Sequence, residues 1–303
     1  MNLSVKHLRA FLALVDQRNF TRAAQTCCLS QSAFSALIQG MEEDAGARLF
    51  DRNTRRVELT AEGQLFAQSA ARLLDDFELA YTELQDHVHL RKGRVAIAAL
   101  PSLAAGMLPA VMAEFHQRYP GIEMELFDGL SDACVALVKG SRVDFALASA
   151  ESPTAGLQSE LFCSDAFHVV CHFAHPLAHC TSVQPDELVK HPFIHLAKST
   201  SIRQHLEQAL YPLRLTGIME VEHLATAAAL VAQGLGISVI PALALFQFQL
   251  ADIVVKPLNL PALVRHIHII RPQGRSLSVA ANGLLEMLKS SMAIGKTSPS
   301  TGL

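Results

Sequence analysis

Leu8, Phe11, Leu12 and Val15 recur at the spacing of one helical face, which predicts a helix from about Val5 to Gln17 that stops before Asn19. A second helix follows at once. It starts at Thr21, a good N-cap, and its Ala23 and Ala24 are small enough for another helix to approach closely. A turn falls at Cys27 to Leu29. Ser30 then caps a third helix to about Asp44, with Ala33, Phe34, Leu37, Ile38 and Met41 as its apolar stripe and Ser32, Ser35, Ala36 and Gln39 facing outward. From Leu49 to Leu59 the period changes to two, split by Asn53-Thr54, and reads as a hairpin with arginines at its tip.

Thr60 caps a further helix on which Phe66, Ala70, Leu73, Phe77, Ala80 and Leu84 recur at spacings of 4, 3, 4, 3 and 4. That 3.5-residue period is a coiled-coil seam and predicts that the helix pairs with a copy of itself. A helix lying on its own domain is the alternative.

Beyond residue 92 strands alternate with helices. Strands are predicted at Arg94–Leu100, Ile122–Phe127 and Val143–Ala148; after Pro101-Ser102 a helix runs through Leu108, Val111, Phe115 and His116, and another runs from Leu130 to Gly140. The alternation implies a parallel sheet covered on both faces. No charge occurs from Leu224 to Leu250, but Gln233, Gly234-Leu235-Gly236, Pro241 and Gln247 interrupt the run, so it reads as a buried helix, a turn and a strand and not as a membrane span.

Composition narrows the class. A chain of 303 residues, 50% apolar and 17% charged, holds two or three domains with sizeable cores. A net charge of -3 provides no overall field for nucleic acid or an anionic membrane. The positive charge is local: residues 1–60 hold eight Lys and Arg against six acids, and four of the arginines lie between 48 and 56. Lys6, Arg9, Asp16 and Arg18 interrupt the apolar pattern a secretion signal needs, and six scattered cysteines read as reduced thiols, so the expectation is a cytoplasmic protein with no membrane partner.

Two short helices joined by a tight turn, the second exposing small polar side chains at its N-terminal end, can insert a helix into the DNA major groove. The hairpin would then be a wing whose arginines reach the minor groove and phosphates. On spacing alone, the same residues would also make a three-helix cap with a solvated arginine cluster.

Phe20-Thr21-Arg22-Ala23-Ala24, Leu29-Ser30-Gln31, Ala33-Phe34-Ser35, Ile38, Gly46-Ala47-Arg48-Leu49-Phe50-Asp51-Arg52, Arg55-Arg56-Val57-Glu58-Leu59-Thr60 and Glu62-Gly63 together resemble a LysR-type transcriptional regulator, and the resemblance extends over the whole chain. It implies a sequence-specific transcriptional regulator, not an enzyme, with a winged helix-turn-helix at 1–60 and a linker helix and hinge at 61–92. An α/β effector-binding domain similar to periplasmic solute-binding proteins would fill 93–303, with one subdomain at about 93–162 plus 264–290 and the other at about 163–263. A strand at Arg265–Ile270 and a helix at Leu277–Leu288 would return the chain to the first subdomain, and 291–303 would be a frayed tail. DNA contacts would fall on Thr21, Arg22, Ser30, Gln31, Ser32 and Ser35 and on wing residues Arg52, Arg55 and Arg56. The implied partners are double-stranded DNA, a small-molecule inducer and further copies of the chain, as a homodimer and then a tetramer of paired dimers; RNA polymerase stands as a further partner. The recognition helix departs from the family pattern at Ser32, Ala36 and Leu37, and Ala36 cannot reach guanine as an arginine would.

Ligands of open α/β sheets bind beyond the carboxyl ends of strands, where helix N-termini offer free N–H groups. Ser102, Ser149, Ser199, Thr200, Ser201 and Thr226 are the candidate inducer contacts, for a small carboxylate or similar polar molecule, although each could equally serve as a helix cap. Cys163, His168, Cys171, His172, His175, His179 and Cys180 crowd together, but their spacing fits no known finger and no metal is expected. The peroxide-sensing members of the family carry a cysteine near the position held here by Thr200-Ser201. Gly234-Leu235-Gly236 precedes a strand where a dinucleotide loop would follow one, and there is no nucleophile elbow or HExxH motif, so neither cofactor nor catalytic residues are assigned. The rival reading is a solute-binding or catalytic α/β protein whose N-terminal helices only mediate assembly.

Overall fold

A computed structural model describes residues 3–52, 57–149 and 155–295. The chain divides into two units, Met1–Asp86 and His87–Leu303.

In the first unit, α1 (Val5–Gln17) leads into α2 (Phe20–Thr26), and the cap of α2 is Asn19, not Thr21. The Asn19 side chain accepts the Arg22 N–H at 3.0 Å, and Thr21 is the second residue inside the helix. Cys28 takes the left-handed conformation at φ 54°, which lets the Leu29 N–H turn back onto the Ala24 carbonyl at 2.9 Å and closes the tight turn. Ser30 caps α3 (Gln31–Ala45) by accepting the Ala33 N–H. Phe34, Ile38 and Met41 are buried, whereas Ala33, expected in the stripe, is exposed. The wing strands β1 (Phe50–Arg52) and β2 (Val57–Leu59) pair antiparallel with Phe50 opposite Leu59.

Thr60 opens α4 (Ala61–Val88), accepting the Gly63 N–H at 2.9 Å and donating its hydroxyl hydrogen to the Arg48 carbonyl at 2.7 Å. The first third of this helix belongs to the domain core. Phe11 lies 5.1 Å from the Phe50 ring and 4.9 Å from the Phe66 ring, and Ala70 is fully buried. Phe66 and Ala70 are therefore removed from the predicted seam, because the heptad runs without a break from a face that packs on the winged helix. Leu73, Phe77 and Leu84 are 55%, 46% and 57% exposed, and Ala80 is exposed between them.

The second unit begins with β3 (Gly93–Ala99), whose Val95, Ile97 and Ala99 face one core while Ala96 and Ala98 face another. Burial on both faces is why this strand reads as an unbroken apolar run. After it comes a short helix, α5 (Pro101–Ala105), and then the predicted one, α6 (Leu108–Arg118); the two are separated at Gly106, where a Cβ would lie 2.7 Å from the Ser102 carbonyl oxygen. Next come β4 (Ile122–Asp128), α7 (Ser131–Lys139) and β5 (Phe145–Ala148), with β4 and β5 both parallel to β3.

The sheet does not stay parallel. The 16-residue β6 (Leu157–His172) runs antiparallel to its neighbours, and beyond it come α8 (Pro185–Leu188), β7 (Phe193–Leu196), α9 (Ser201–Leu210), β8 (Gly217–Val221), α10 (Leu224–Ala232), β9 (Ser238–Pro241) and β10 (Ile253–Pro257). β11 (Val264–Pro272) returns between β5 and β6, antiparallel to both, and β6 also pairs antiparallel with β9 and β10, giving a seven-stranded mixed sheet. Strands β7 and β8 form a separate parallel pair.

One core gathers Val95, Ile97, Phe115, Ile267 and Leu284; another gathers Phe167, Val169, Phe193, Leu206, Val231 and Ile240. The last helix, α11 (Val279–Gly295), extends past the predicted end at Leu288 and through 291–295, which were expected to fray; 296–303 lie outside the described residues.

Candidate functional site

In the second unit a cavity of about 310 Å³ opens just past the carboxyl ends of β3, β7 and β8, the place the topology favours for a ligand. Leu100, Pro101, Leu130, Leu196, Ile202 and Leu224 give it apolar walls, and Ser102, Thr200, Ser201, Glu222, His223, Gln247 and Arg265 supply its polar groups. Of the six predicted contacts, Ser102, Thr200 and Ser201 line it. Ser149, Ser199 and Thr226 do not: Ser149 is buried just past the end of β5, and Ser199 and Thr226 are exposed. Thr226 lies inside α10, which starts at Leu224 after His223, so it does not cap that helix.

The hydroxyls differ in what they have left to offer. Thr200 Oγ1 accepts the Arg203 N–H at 3.2 Å and donates to the Ala197 carbonyl at 2.7 Å, so it is spent on capping α9. Ser102 Oγ and Ser201 Oγ each accept from Arg265, at 3.1 Å from Nη2 and 3.4 Å from Nη1. A serine oxygen that accepts from a guanidinium keeps its own hydrogen for another partner, so both serines present donors. Arg265 is held in turn by Asp165, whose Oδ2 accepts from Nη2 at 2.6 Å while Oδ1 accepts the Leu243 N–H at 3.0 Å.

Arg265 and Asp165 were missed in the sequence. The available signal was register: Arg265 shares a strand face with Ile267 and Ile269, a core face on which a lone charge needs an explanation.

In the first unit Thr21, Arg22, Ser30, Gln31 and Ser32 are exposed and Ser35 is half-buried along the α2–α3 face. Ser30 Oγ is 3.1 Å from Ser32 Oγ as well as capping α3. Arg52 ends β1, and Arg55 and Arg56 lie outside the described residues.

The cysteine and histidine cluster is put to local use. Cys163 and Cys171 are buried in separate positions along β6, and His172 and His175 accept backbone N–H groups of Ala174 and Leu177. None of the six cysteines is in a disulfide, and among the described residues no group of three or more His, Cys, Asp or Glu is placed to hold a metal ion.

A winged helix-turn-helix joined to an α/β ligand-binding fold defines a ligand-responsive DNA-binding protein. The pattern of the bacterial regulatory helix-turn-helix protein, lysR family, matches residues 5–64, and that of the LysR substrate binding domain matches residues 89–293. The chain is 32% identical over 291 residues to the uncharacterized HTH-type transcriptional regulator YfeR of Shigella flexneri, covering 95% of this chain and 94% of the relative. A full-length OxyR variant from Pseudomonas aeruginosa has the same fold at a TM-score of 0.80 and 20% identity, over 96% of this chain and 100% of that one. Full-length CbnR complexed with target DNA superposes at a TM-score of 0.64 and 19% identity, over 95% and 99% of the two chains. The chain belongs to the LysR family of transcriptional regulators. It is a DNA-binding regulator with a substrate-binding effector domain, in a family made of transcription regulators and not enzymes.

Proposed function

We propose that paired copies of this chain read an inverted DNA repeat through α3 and the wing, and that a small carboxylate-bearing inducer, held by Ser102 and Ser201, changes the spacing or bend of those DNA contacts. The observation that carries the reading is the Arg265 fork, which aims two serine donors from separate elements into one apolar-walled cavity. On the proposed division Ser102 lies in a subdomain of about 93–162 plus 264–290 and Ser201 in one of about 163–263, so an inducer bridging them would draw the two together. A protein of the same fold has been solved with its target DNA, which supports DNA as a partner. Gln31, Ser32 and Ser35 would contact bases or phosphate, with Thr21, Arg22, Ser30, Arg52, Arg55 and Arg56 positioning the domain on the backbone and minor groove.

The exposed Leu73, Phe77, Ala80 and Leu84 supply the dimer seam, and two such dimers make the tetramer. The protein acts in the cytoplasm, with RNA polymerase as the further partner; among the described residues no helix is long and apolar enough to cross a membrane.

The test is fluorescence anisotropy on a duplex from upstream of the protein's own gene, against a scrambled duplex, across several salt concentrations. Binding that resists competitor, with a steep salt slope, is expected. Arg55→Ala should weaken binding to all sequences and lower the salt slope by about 1, whereas Gln31→Ala should change preference at one base position. Equal effects of both changes on every sequence would refute this division of labour.

A further inference from the structure

A second cavity, of about 340 Å³, lies between the body of α9 and the segment 211–215 that leads into β8. It shares no lining residue with the first: the opening turn of α9 lines the inducer cavity, and Arg203, Glu207 and Leu210 line this one. Two polar atoms of residues that line it are buried without a hydrogen-bond partner among the described residues. They are Nη1 of Arg203, whose side chain is 11% exposed, and Nδ1 of His195, which is 7% exposed. A guanidinium N–H and an imidazole nitrogen left unpaired out of water are costly, and such pairs persist where a ligand or another group completes them.

The positions of both groups are built. Arg203 is anchored through Nε to Glu207 Oε1 at 2.5 Å, which leaves Nη1, on the other side of the guanidinium, facing away from that partner. His195 stands on β7 with its ring 4.6 Å from Phe193, and only a glycine fits beside it, since a Cβ at Gly217 would collide with the ring.

We propose that this cavity is a second ligand site of the effector domain and takes a small monocarboxylate with an apolar body. The carboxylate accepts from Arg203 Nη1 and His195 Nδ1, and the body packs on Leu210, Leu213 and Leu215. Charge favours an anion, since Arg203 and Arg214 outweigh Glu207 among the lining residues.

The test is calorimetric titration of the full-length chain carrying Ser102→Ala and Ser201→Ala, which disables the inducer cavity, with phenylacetate and with its uncharged amide as probes. One saturable phenylacetate site per chain is expected, weakened at least about tenfold by Arg203→Gln and by Leu213→Trp, with the amide at least about tenfold weaker than the acid. Leu213 is 41% exposed, so its replacement fills the cavity from the solvent side and keeps the test valid if Arg203→Gln fails to fold. No saturable heat up to millimolar phenylacetate, equal binding of acid and amide, or binding indifferent to Leu213→Trp would each overturn the proposal. Binding abolished by the serine changes alone would place the probe in the inducer cavity and overturn it too.

Discussion

Asp165 on β6 and Arg265 on β11 meet through a 2.6 Å ion pair with side chains 0% and 2% exposed. Removing one member of so buried a pair strands the other charge, which typically costs roughly 3–5 kcal/mol, whereas replacing both with apolar residues of similar volume is often close to neutral. Asp165→Asn should therefore destabilise the second unit far more than the double change Asp165→Leu with Arg265→Met, as read by urea unfolding. The double variant should still lose inducer binding, because Ser102 and Ser201 lose the fork that aims them. Equal stability losses in the two variants would show that the pair is not the electrostatic unit described.

On the proposed seam, α4 divides at about Leu73 into a part that packs on the winged helix and a part that pairs with another copy. Phe66→Ala should destabilise the N-terminal unit, by less than the roughly 3–5 kcal/mol of a fully buried Phe because Phe66 is half-buried. Phe77→Glu should leave that unit's stability within about 0.5 kcal/mol and instead dissociate the dimer, since Phe77 is 46% exposed on the chain alone. Sedimentation velocity combined with thermal unfolding separates the two effects; an unchanged sedimentation coefficient for Phe77→Glu would remove the seam.

Two glycines in the N-terminal unit should respond oppositely to alanine. Helix propensity favours Ala over Gly by about 1 kcal/mol at an interior helix position. At Gly40 in α3 an added methyl would meet nothing within 4 Å, so Gly40→Ala should stabilise by roughly 0.5–1 kcal/mol. At Gly63 the same methyl would collide with the Leu49 carbonyl oxygen, so Gly63→Ala must push α4 away from the wing and cost roughly 1–3 kcal/mol. Thermal unfolding of the two variants decides the signs.

Much of this architecture is legible because helical stripes and strand alternation are local patterns. α1 agrees with its prediction from Val5 to Gln17, and the caps at Ser30 and Thr60 follow from hydroxyls placed where free N–H groups begin. Long-range choices are not local. The heptad through Phe66 and Ala70 continues smoothly into Leu73 and Phe77, and only the position of the Phe11 and Phe50 rings shows which part is already covered. The antiparallel course of β6 and β11 depends on pairing partners about a hundred residues apart. For the site, hydroxyls following strands were found, but the pattern cannot distinguish Ser102 from Ser149, because side-chain direction relative to a cavity is set by tertiary packing.

Thiol reactivity should follow burial. The Cys134 thiol is pushed up to about 11, chiefly by burial and then by the Asp128 carboxylate, and Cys171 is raised by burial as well. Cys28 is exposed. In the folded protein at pH 8, a disulfide-exchange reagent should label Cys28 quickly, while Cys134 and Cys171 react only at the rate of unfolding. Mass spectrometry of a labelling time course checks this; early modification of Cys134 would contradict its packing.

Burial also sets the pH response of the second unit. His168, His175 and His268 all sit below the ordinary 6.5, each mainly because desolvation disfavours the imidazolium; neighbouring His191 and His172 add to this for His175, and His266 for His268. A histidine with a lowered folded-state pKa binds its proton more readily when unfolded, so stability rises with pH through the interval between the folded and unfolded values. The contribution is complete above 6.5 and is lost as pH falls toward the folded values. Urea midpoints should therefore decline between pH 7.5 and 5.5, and His168→Gln, at the most buried of the three rings, should flatten the decline. A midpoint that holds steady or rises on acidification would show that these rings gain proton-stabilising partners on folding.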